Sequence, residues 1–150
     1  MWFLEGRIEE KLLADIVSRT TRSRIMAAVR QKDTAPEMRV RRLLHGIGYR
    51  YRLHDRNLPG KPDVVFSARR KVIFVNGCFW HGHKCRKGRI PKSNVEFWRA
   101  KITRNRARDA EAIGELRSEG WSVRIVWQCE LRDEGSLKGR LVGFLESNGR

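Results

Sequence analysis

The chain has 150 residues, 40% of them hydrophobic and 33% charged, enough apolar material for one core at about the commonest domain size, ~100–150 residues. Lys and Arg number 33 against 17 Asp and Glu, a net charge of +16, which suits a polyanion because neutralised phosphates release condensed counterions. No run approaches the ~18–20 apolar residues that span a bilayer, so nucleic acid is the expected partner and a membrane is not.

The opening stretch MWFLEGRIEEKLLADIVSRT lacks a basic segment followed by an unbroken apolar one and does not read as a signal peptide. Within it, Ile8, Leu12, Leu13, Ile16 and Val17 lie near helical spacing, which predicts an amphipathic helix over 5–18. Thr21 or Ser23 caps a second helix carrying Ile25, Met26 and Val29. Thr34 caps a third, with Pro36 early, Glu37 three residues after the cap in a capping-box pattern, and Gly46 and Gly48 ending it. Strands are expected at Tyr49 to Leu53, at 62–68 (PDVVFSA) and at 71–77 (KVIFVNG), the last two forming a hairpin through Ala68-Arg69-Arg70. Residues 94–119 predict a long helix with Phe97, Ile102, Ala110, Ile113 and Leu116 on one side. The stretch WSVRIVWQC, 121–129, reads as a β-branched strand, and 137–147 as a final helix. This order gives an α/β fold, a mixed sheet covered by helices. With no repeat, low-complexity tract or linker, one domain is expected.

Residues 75–85, VNGCFWHGHKC, concentrate metal ligands. Cys78, His81, His83 and Cys85 lie there, and Cys129 ends a strand expected to run alongside, five candidates for the four places of a structural zinc site. Three cysteines cannot all pair within the chain, and two of them sit beside histidines, which favours a reducing cytoplasm and metal binding over disulfides. Cysteine is the better zinc ligand, so the spare candidate is His81 or His83, and spacing alone does not choose between them. A spare histidine beside a closed site is available for acid–base work.

Asp63 begins the strand after LPGKP and faces the end of the neighbouring KVIFVNG strand. A carboxylate plus a strand-end carbonyl offers the hard oxygens that Mg2+ prefers. Glu37 is either a capping residue or one that reaches a metal-bound water. Asp109, in NRARDAEAIG, is either a solvated helix charge or the carboxylate that orients the spare histidine.

TRSRIMAAVRQKDTAPE, LPGKPDVVF, IFVNGCFWHGHKC, EFW and GWSVRIVWQCEL together resemble the very short patch repair (Vsr) endonucleases over about residues 20–133. The resemblance implies a fold related to the PD-(D/E)xK restriction-type nucleases, a three-layer sandwich, and Mg2+-dependent nicking of duplex DNA 5′ to the thymine of a T:G mismatch left by 5-methylcytosine deamination. It divides the chain into an N-terminal extension over 1–19, a core over 20–133 and a C-terminal helical segment over 134–150. It implies structural Zn2+ on Cys78, His83, Cys85 and Cys129. His81 then acts on metal-bound water and is oriented by Asp109. Catalytic Mg2+ falls on Asp63 and the backbone carbonyl of Val75, with Glu37 as the acidic residue of the early helix. Phe79, Trp80 and Trp98 match aromatics that wedge into the base stack, a role expected because a metal-bound loop surrounded by polar residues has little core to offer its rings. Asn76 departs from the pattern, standing where some members have histidine and near the lysine position of the wider fold. Asparagine is neither base nor cation, but it can hydrogen-bond a phosphate or a bound water. The resemblance further implies a monomer in the bacterial cytoplasm, associated with the nucleoid, and contact with mismatch-repair proteins of the MutL type. Two other readings are a related nuclease with a different DNA target linked to restriction–modification, and a non-catalytic zinc-containing DNA-binding module.

Overall fold

The computed structural model describes residues 33–148. The helices expected over 5–18 and from Thr21 or Ser23 lie outside the described residues. Helix α1, Ala35–Gly46, starts as its sequence dictates: Thr34 caps it by accepting from the Glu37 amide at 3.4 Å. The return half of the capping box is shifted by one residue, since the Glu37 carboxylate accepts from the Asp33 amide at 3.0 Å instead of from Thr34. Val40 and Leu44, four apart and fully buried, turn the apolar face of α1 to the sheet.

Among the described residues the sheet has four strands in the order β1 (Arg52–Leu53), β2 (Val64–Phe66), β3 (Lys71–Asn76) and β4 (Ser122–Trp127). The β2–β3 hairpin is antiparallel, with Val65 opposite Val72. β3 and β4 are parallel, with Val75 opposite Val126 and Asn76 opposite Trp127. That parallel pair needs a crossover, which helix α2 (Val95–Ser118) supplies. Alternation along β2 sends Val64 and Phe66 to one face and Val65 to the other, and both faces are covered. Val40, Leu44, Ile73, Val126 and the Leu137, Leu141 and Leu145 row of helix α3 (Glu134–Glu146) fill one side. Val65, Val72, Leu116 and Trp121 fill the other. Lys71, buried at the start of β3, donates from Nζ to the carbonyls of Phe144 and Leu145, so its charge meets the negative end of α3.

Four expectations are corrected. The strand at Tyr49 to Leu53 shrinks to two exposed edge residues, and Tyr49 and Tyr51 before it pack edge-on against Phe66 at 6.2 and 6.1 Å. The strand expected over 121–129 ends at Trp127, and Cys129 lies in a 3-10 turn, Gln128–Arg132, closed by the Glu130 carboxylate accepting from the Trp127 amide at 2.7 Å. The final helix starts at Glu134, because Asp133 caps it by accepting from the Ser136 amide at 3.0 Å. The buried stripe of α2 is rotated from the expected one. Trp98 is 1% exposed and Phe97 38%, and the side facing the protein runs through Trp98, Ile102, Asn105, Asp109, Ala112 and Leu116. Its spacing of four and three is helical, but two polar members hide its phase from a hydrophobicity pattern.

Candidate active site and metal centre

The loop after β3 folds back on itself. The His81 amide donates to the Gly77 carbonyl at 3.3 Å and the His83 amide to the Cys78 carbonyl at 2.9 Å. The turn Arg86–Gly88 follows so closely that a Cβ on Gly88 would lie 1.9 Å from the His83 carbonyl oxygen. This winding brings Cys78, His83 and Cys85 to Cys129, with all four ligand atoms within 4.8 Å of one another. Cys129 Sγ and His83 Nδ1 are 3.6 Å apart, the edge of a tetrahedron with Zn–S of ~2.3 Å and Zn–N of ~2.0–2.1 Å. The His83 ring stacks on Trp127 at 4.2 Å and 21°. Burial pushes the Cys78 and Cys129 thiols up. Burial also pushes Cys85 up, but hydrogen bonds from His83, Cys78 and the Lys87 and Gly88 amides outweigh it and bring that thiol down to about 7. Two soft sulfurs, a third close to ionised and an imidazole form a donor set that fits zinc.

Helix α2 fastens this loop from the other side. A Cβ on Gly82, where φ is +61°, would lie 2.6 Å from Ile102 Cγ2, so only glycine permits the approach. Asn105 Nδ2 donates to the Trp80 carbonyl at 2.8 Å. Asp109 Oδ2 lies 2.5 Å from His81 Nδ1. A carboxylate only accepts, so the His81 ring carries its proton on Nδ1 and presents the lone pair of Nε2 away from Asp109. A Cβ on Gly60 would likewise meet Ala112 Cβ at 2.7 Å, which ties the LPGKPD turn to the same face of the helix.

Asp63 follows that turn. Its Oδ2 accepts from the Val75 amide at 2.7 Å, which sets the carboxylate at the end of β3 where the metal-ligand loop begins. Burial pushes Asp63 up to about 7, helped by the nearby Glu37 charge and opposed by the Val75 amide. Glu37 is 2% exposed and belongs to a second cluster with Asp33 and His54, whose ligand atoms also lie within 4.8 Å of one another. The guanidinium of Arg41 already reaches into that cluster, its Nη2 2.7 Å from Asp33 Oδ1, 3.2 Å from Glu37 Oε2 and 2.7 Å from His54 Nε2.

The residues from 14 to 87 match the family model described as DNA mismatch endonuclease Vsr. The chain is 54% identical over 134 residues to the type II nicking enzyme V.XorIIP of Xanthomonas oryzae, covering 89% of this chain and 98% of that one. It is 45% identical to the type II nicking enzyme V.NmeAIP of Neisseria meningitidis, over 86% of this chain and 92% of the relative. The chain belongs to the Vsr family of endonucleases. The DNA mismatch endonuclease Vsr of Escherichia coli is 45% identical over 83% of this chain and 80% of its own length.

Against the other expectations drawn from the Vsr resemblance, the aromatics need a correction. The expectation that the metal-ligand loop offers its rings little core does not hold, since Phe79 and Trp98 are buried together, 4% and 1% exposed, with Trp80 and Ile90 packed on them. Their rings meet edge to face, Phe79 5.3 Å from Trp80 and 5.2 Å from Trp98. Among the described residues the buried indole N–H of Trp98 has no hydrogen-bond partner. Asn76 is buried, 6% exposed, at the last position of β3. Sequence reasoning missed Arg41, His54 and Asn105. The helical stripe from Ile102 to Asp109 would have shown Asn105, but no spacing signal joins Arg41 on α1 to His54 after β1, which meet only in the folded chain. Among the described residues no helix is long and apolar enough to cross a membrane.

Proposed function

We propose that the chain is a Mg2+-dependent endonuclease that nicks one strand of duplex DNA 5′ to the T of a T:G mismatch produced by 5-methylcytosine deamination. The observation that carries this reading is the adjacency of two pairs at the end of β3. Asp63 is held by the Val75 amide, and a few residues on His81 is held by Asp109. Asp63 and the Val75 carbonyl would hold Mg2+, with Glu37 behind Asp63. Once bound, that ion supplies charge stabilisation at the phosphate and lowers the pKa of a bound water. With its Nδ1 proton committed to Asp109, His81 accepts a proton at Nε2, and Asp109 stabilises the imidazolium that results. The Asn76 amide is a neutral donor to a phosphate oxygen, a weaker substitute for a cation.

Cys78, His83, Cys85 and Cys129 would hold Zn2+ and keep the loop rigid, which fixes His81 relative to Asp63. Phe79, Trp80 and Trp98 act as the wedge by opening their cluster onto DNA. Unstacking a step costs ~a few kcal/mol, less beside a mismatch. The two faces of covered sheet are in keeping with a restriction-endonuclease-like sandwich. The proposed setting is a single-domain monomer acting in the cytoplasm at the nucleoid, with MutL-type proteins as partners.

A second reading is favoured by the names of V.XorIIP and V.NmeAIP, type II nicking enzymes. On that reading the target is set by one restriction–modification sequence. The two are separated by incubating the full chain with Mg2+ and end-labelled duplexes that carry T:G within several methyltransferase sites, T:G outside them, or full pairing. Nicking of the T strand alone, in mismatched duplexes only, is expected. Equal cutting of paired duplexes overturns the mismatch reading, and dependence on one flanking sequence supports the second. Asp63→Ala is expected to bind DNA and not to cut it.

A further inference from the structure

Arg41 and His54 lie outside the machinery described above, yet they touch it. Arg41 Nη2 is 2.7 Å from His54 Nε2. The carboxylate oxygens of Asp33 and Glu37 also face Nε2, but farther off, at 3.4 and 3.6 Å. The guanidinium is nearest and can only donate, so Nε2 presents its lone pair to it and the ring proton sits on Nδ1. Nδ1 is the ring nitrogen that faces Asp63, 3.9 Å from its Oδ1. That is longer than a hydrogen bond, but an N–H dipole at this range still favours one orientation of a carboxylate with little exposure to water.

The backbone fixes the pair. The His54 amide donates to the Asp63 carbonyl at 3.3 Å, and His54 takes a left-handed conformation, φ +47°, which histidine tolerates better than most residues. The other carboxylate oxygen, Oδ2, is already taken by the Val75 amide. Asp63 is thus addressed from two sides by two N–H groups. Arg41 is held in turn by Asp33 at 2.7 Å and by the buried Glu37 at 3.2 Å, so the guanidinium supplies the positive charge that this cluster of carboxylates would otherwise draw from an ion. We propose that His54 is a positioning residue for Asp63, locked by Arg41 in the tautomer that carries its proton on Nδ1. This rests on the reading of Asp63 as the Mg2+ ligand for its consequence, but not for the tautomer itself.

The tautomer is read directly from two-bond 1H–15N spectra of the full chain labelled in its histidines, at neutral pH and without added Mg2+, with His54 assigned by its loss in His54→Asn. A protonated Nδ1 and a bare Nε2 are expected, and Arg41→Met should abolish that preference. A proton on Nε2, or on both nitrogens, overturns the proposal. Calorimetric titration with Mg2+ then tests the consequence. His54→Ala should weaken Mg2+ binding about tenfold, the range typical of groups that orient a metal ligand. His54→Asn, which keeps an N–H near the position of Nδ1 and tolerates the positive φ, should stay within about twofold of the parent. Thermal melts establish that each variant is folded. If His54→Ala binds Mg2+ as the parent does, or if His54→Asn binds as weakly as His54→Ala, the positioning role is wrong. If Asp63→Ala binds Mg2+ unchanged, it is the assignment of Asp63 that fails, while the ring spectrum still decides the tautomer.

Discussion

Among the described residues two clusters have the donor count of a metal site, and they differ in what already sits among the donors. Cys78, His83, Cys85 and Cys129 bring three sulfurs and an imidazole together, with two of the thiols pushed up by burial. Asp33, Glu37 and His54 bring two carboxylates and an imidazole together around the guanidinium of Arg41. Neutral thiols in such proximity gain little from one another and much from a cation that replaces their protons. Carboxylates already paired with a guanidinium have less to gain. Geometric convergence is therefore a weaker sign of a metal than the charge state of the ligands, and the two clusters should respond in opposite ways when that charge is altered.

The largest effect is expected at the cysteine cluster. Structural zinc contributes about 10–16 kcal/mol in small peptides that fold around it. The purified chain should carry one zinc, measured by elemental analysis, and stripping it with a strong chelator that is then dialysed away and replaced by Mg2+, or Cys129→Ala, should abolish nicking and lower the melting temperature by at least ~10 °C, since ~1 kcal/mol moves a domain of this size by ~2–4 °C. A metal-free chain that melts and nicks like the parent would remove the distinction between the clusters. At the second cluster, Arg41→Met should cost about 3–5 kcal/mol in urea denaturation, because it strands the buried Glu37 carboxylate. The same variant exposes two carboxylates and an imidazole to any divalent cation. Mn2+ or Ni2+ should therefore raise its melting temperature by more than they raise that of the parent, where only the Asp63 site is open to them.

The contrast also accounts for how much was legible. The cysteine cluster is written locally, three of its four ligands within eight residues, so that residue type and spacing reveal it. Only the turn that carries Cys129 differs from expectation, because the Glu130 carboxylate draws the chain out of β4. Thr34, the hairpin of β2 and β3, the long helix and the existence of β4 were readable for the same reason: caps, alternation and apolar periodicity are local. The carboxylate cluster is local where Asp33, Glu37 and Arg41 follow one another into α1, but His54, just after β1, joins it only in the folded chain. The phase of α2 was misread because Asn105 and Asp109 point inward for their hydrogen bonds, where a pattern of apolar residues leads to Phe97 and Ala110 instead. Phe79 and Trp98 were misjudged because a loop rich in polar residues can still close over its own small core.

A smaller effect is expected where α2 meets the loop. Asp109→Asn keeps the size of the side chain but can donate to His81 Nδ1, which would move the ring proton to Nε2. Single-turnover nicking should fall about 10²-fold or more, with the melting temperature within a few degrees of the parent. If the rate is unchanged, Asp109 is a solvated charge after all. If the rate and the stability fall together, Asp109 serves to fasten the loop and the tautomer argument is unnecessary.

The smallest effect is a pH dependence, and it compares the two regions proposed to hold metal by their protons. Asp63 is raised to about 7 from an ordinary 3.8, and Cys85 is lowered to about 7 from 9.0. The sign at Asp63 follows from the raised value. Between about 4 and 7 the folded chain holds a proton that the unfolded chain has lost, so this group's contribution to stability is complete below that window and is lost as pH rises through about 7. A bound Mg2+ must displace that proton, so its affinity should climb about tenfold per pH unit up to about 7, some 1.4 kcal/mol each, and level off above. Zinc at the cysteine cluster should behave differently, because Cys78 and Cys129 remain protonated where Cys85 has ionised. Its affinity should go on rising with pH above neutrality, with about two protons released per ion. Calorimetry in buffers of different ionisation enthalpy counts those protons directly. A Mg2+ affinity that is flat below neutrality would mean that Asp63 is already ionised in the free protein, and that Arg41 and the Val75 amide outweigh the burial and the Glu37 charge acting on it.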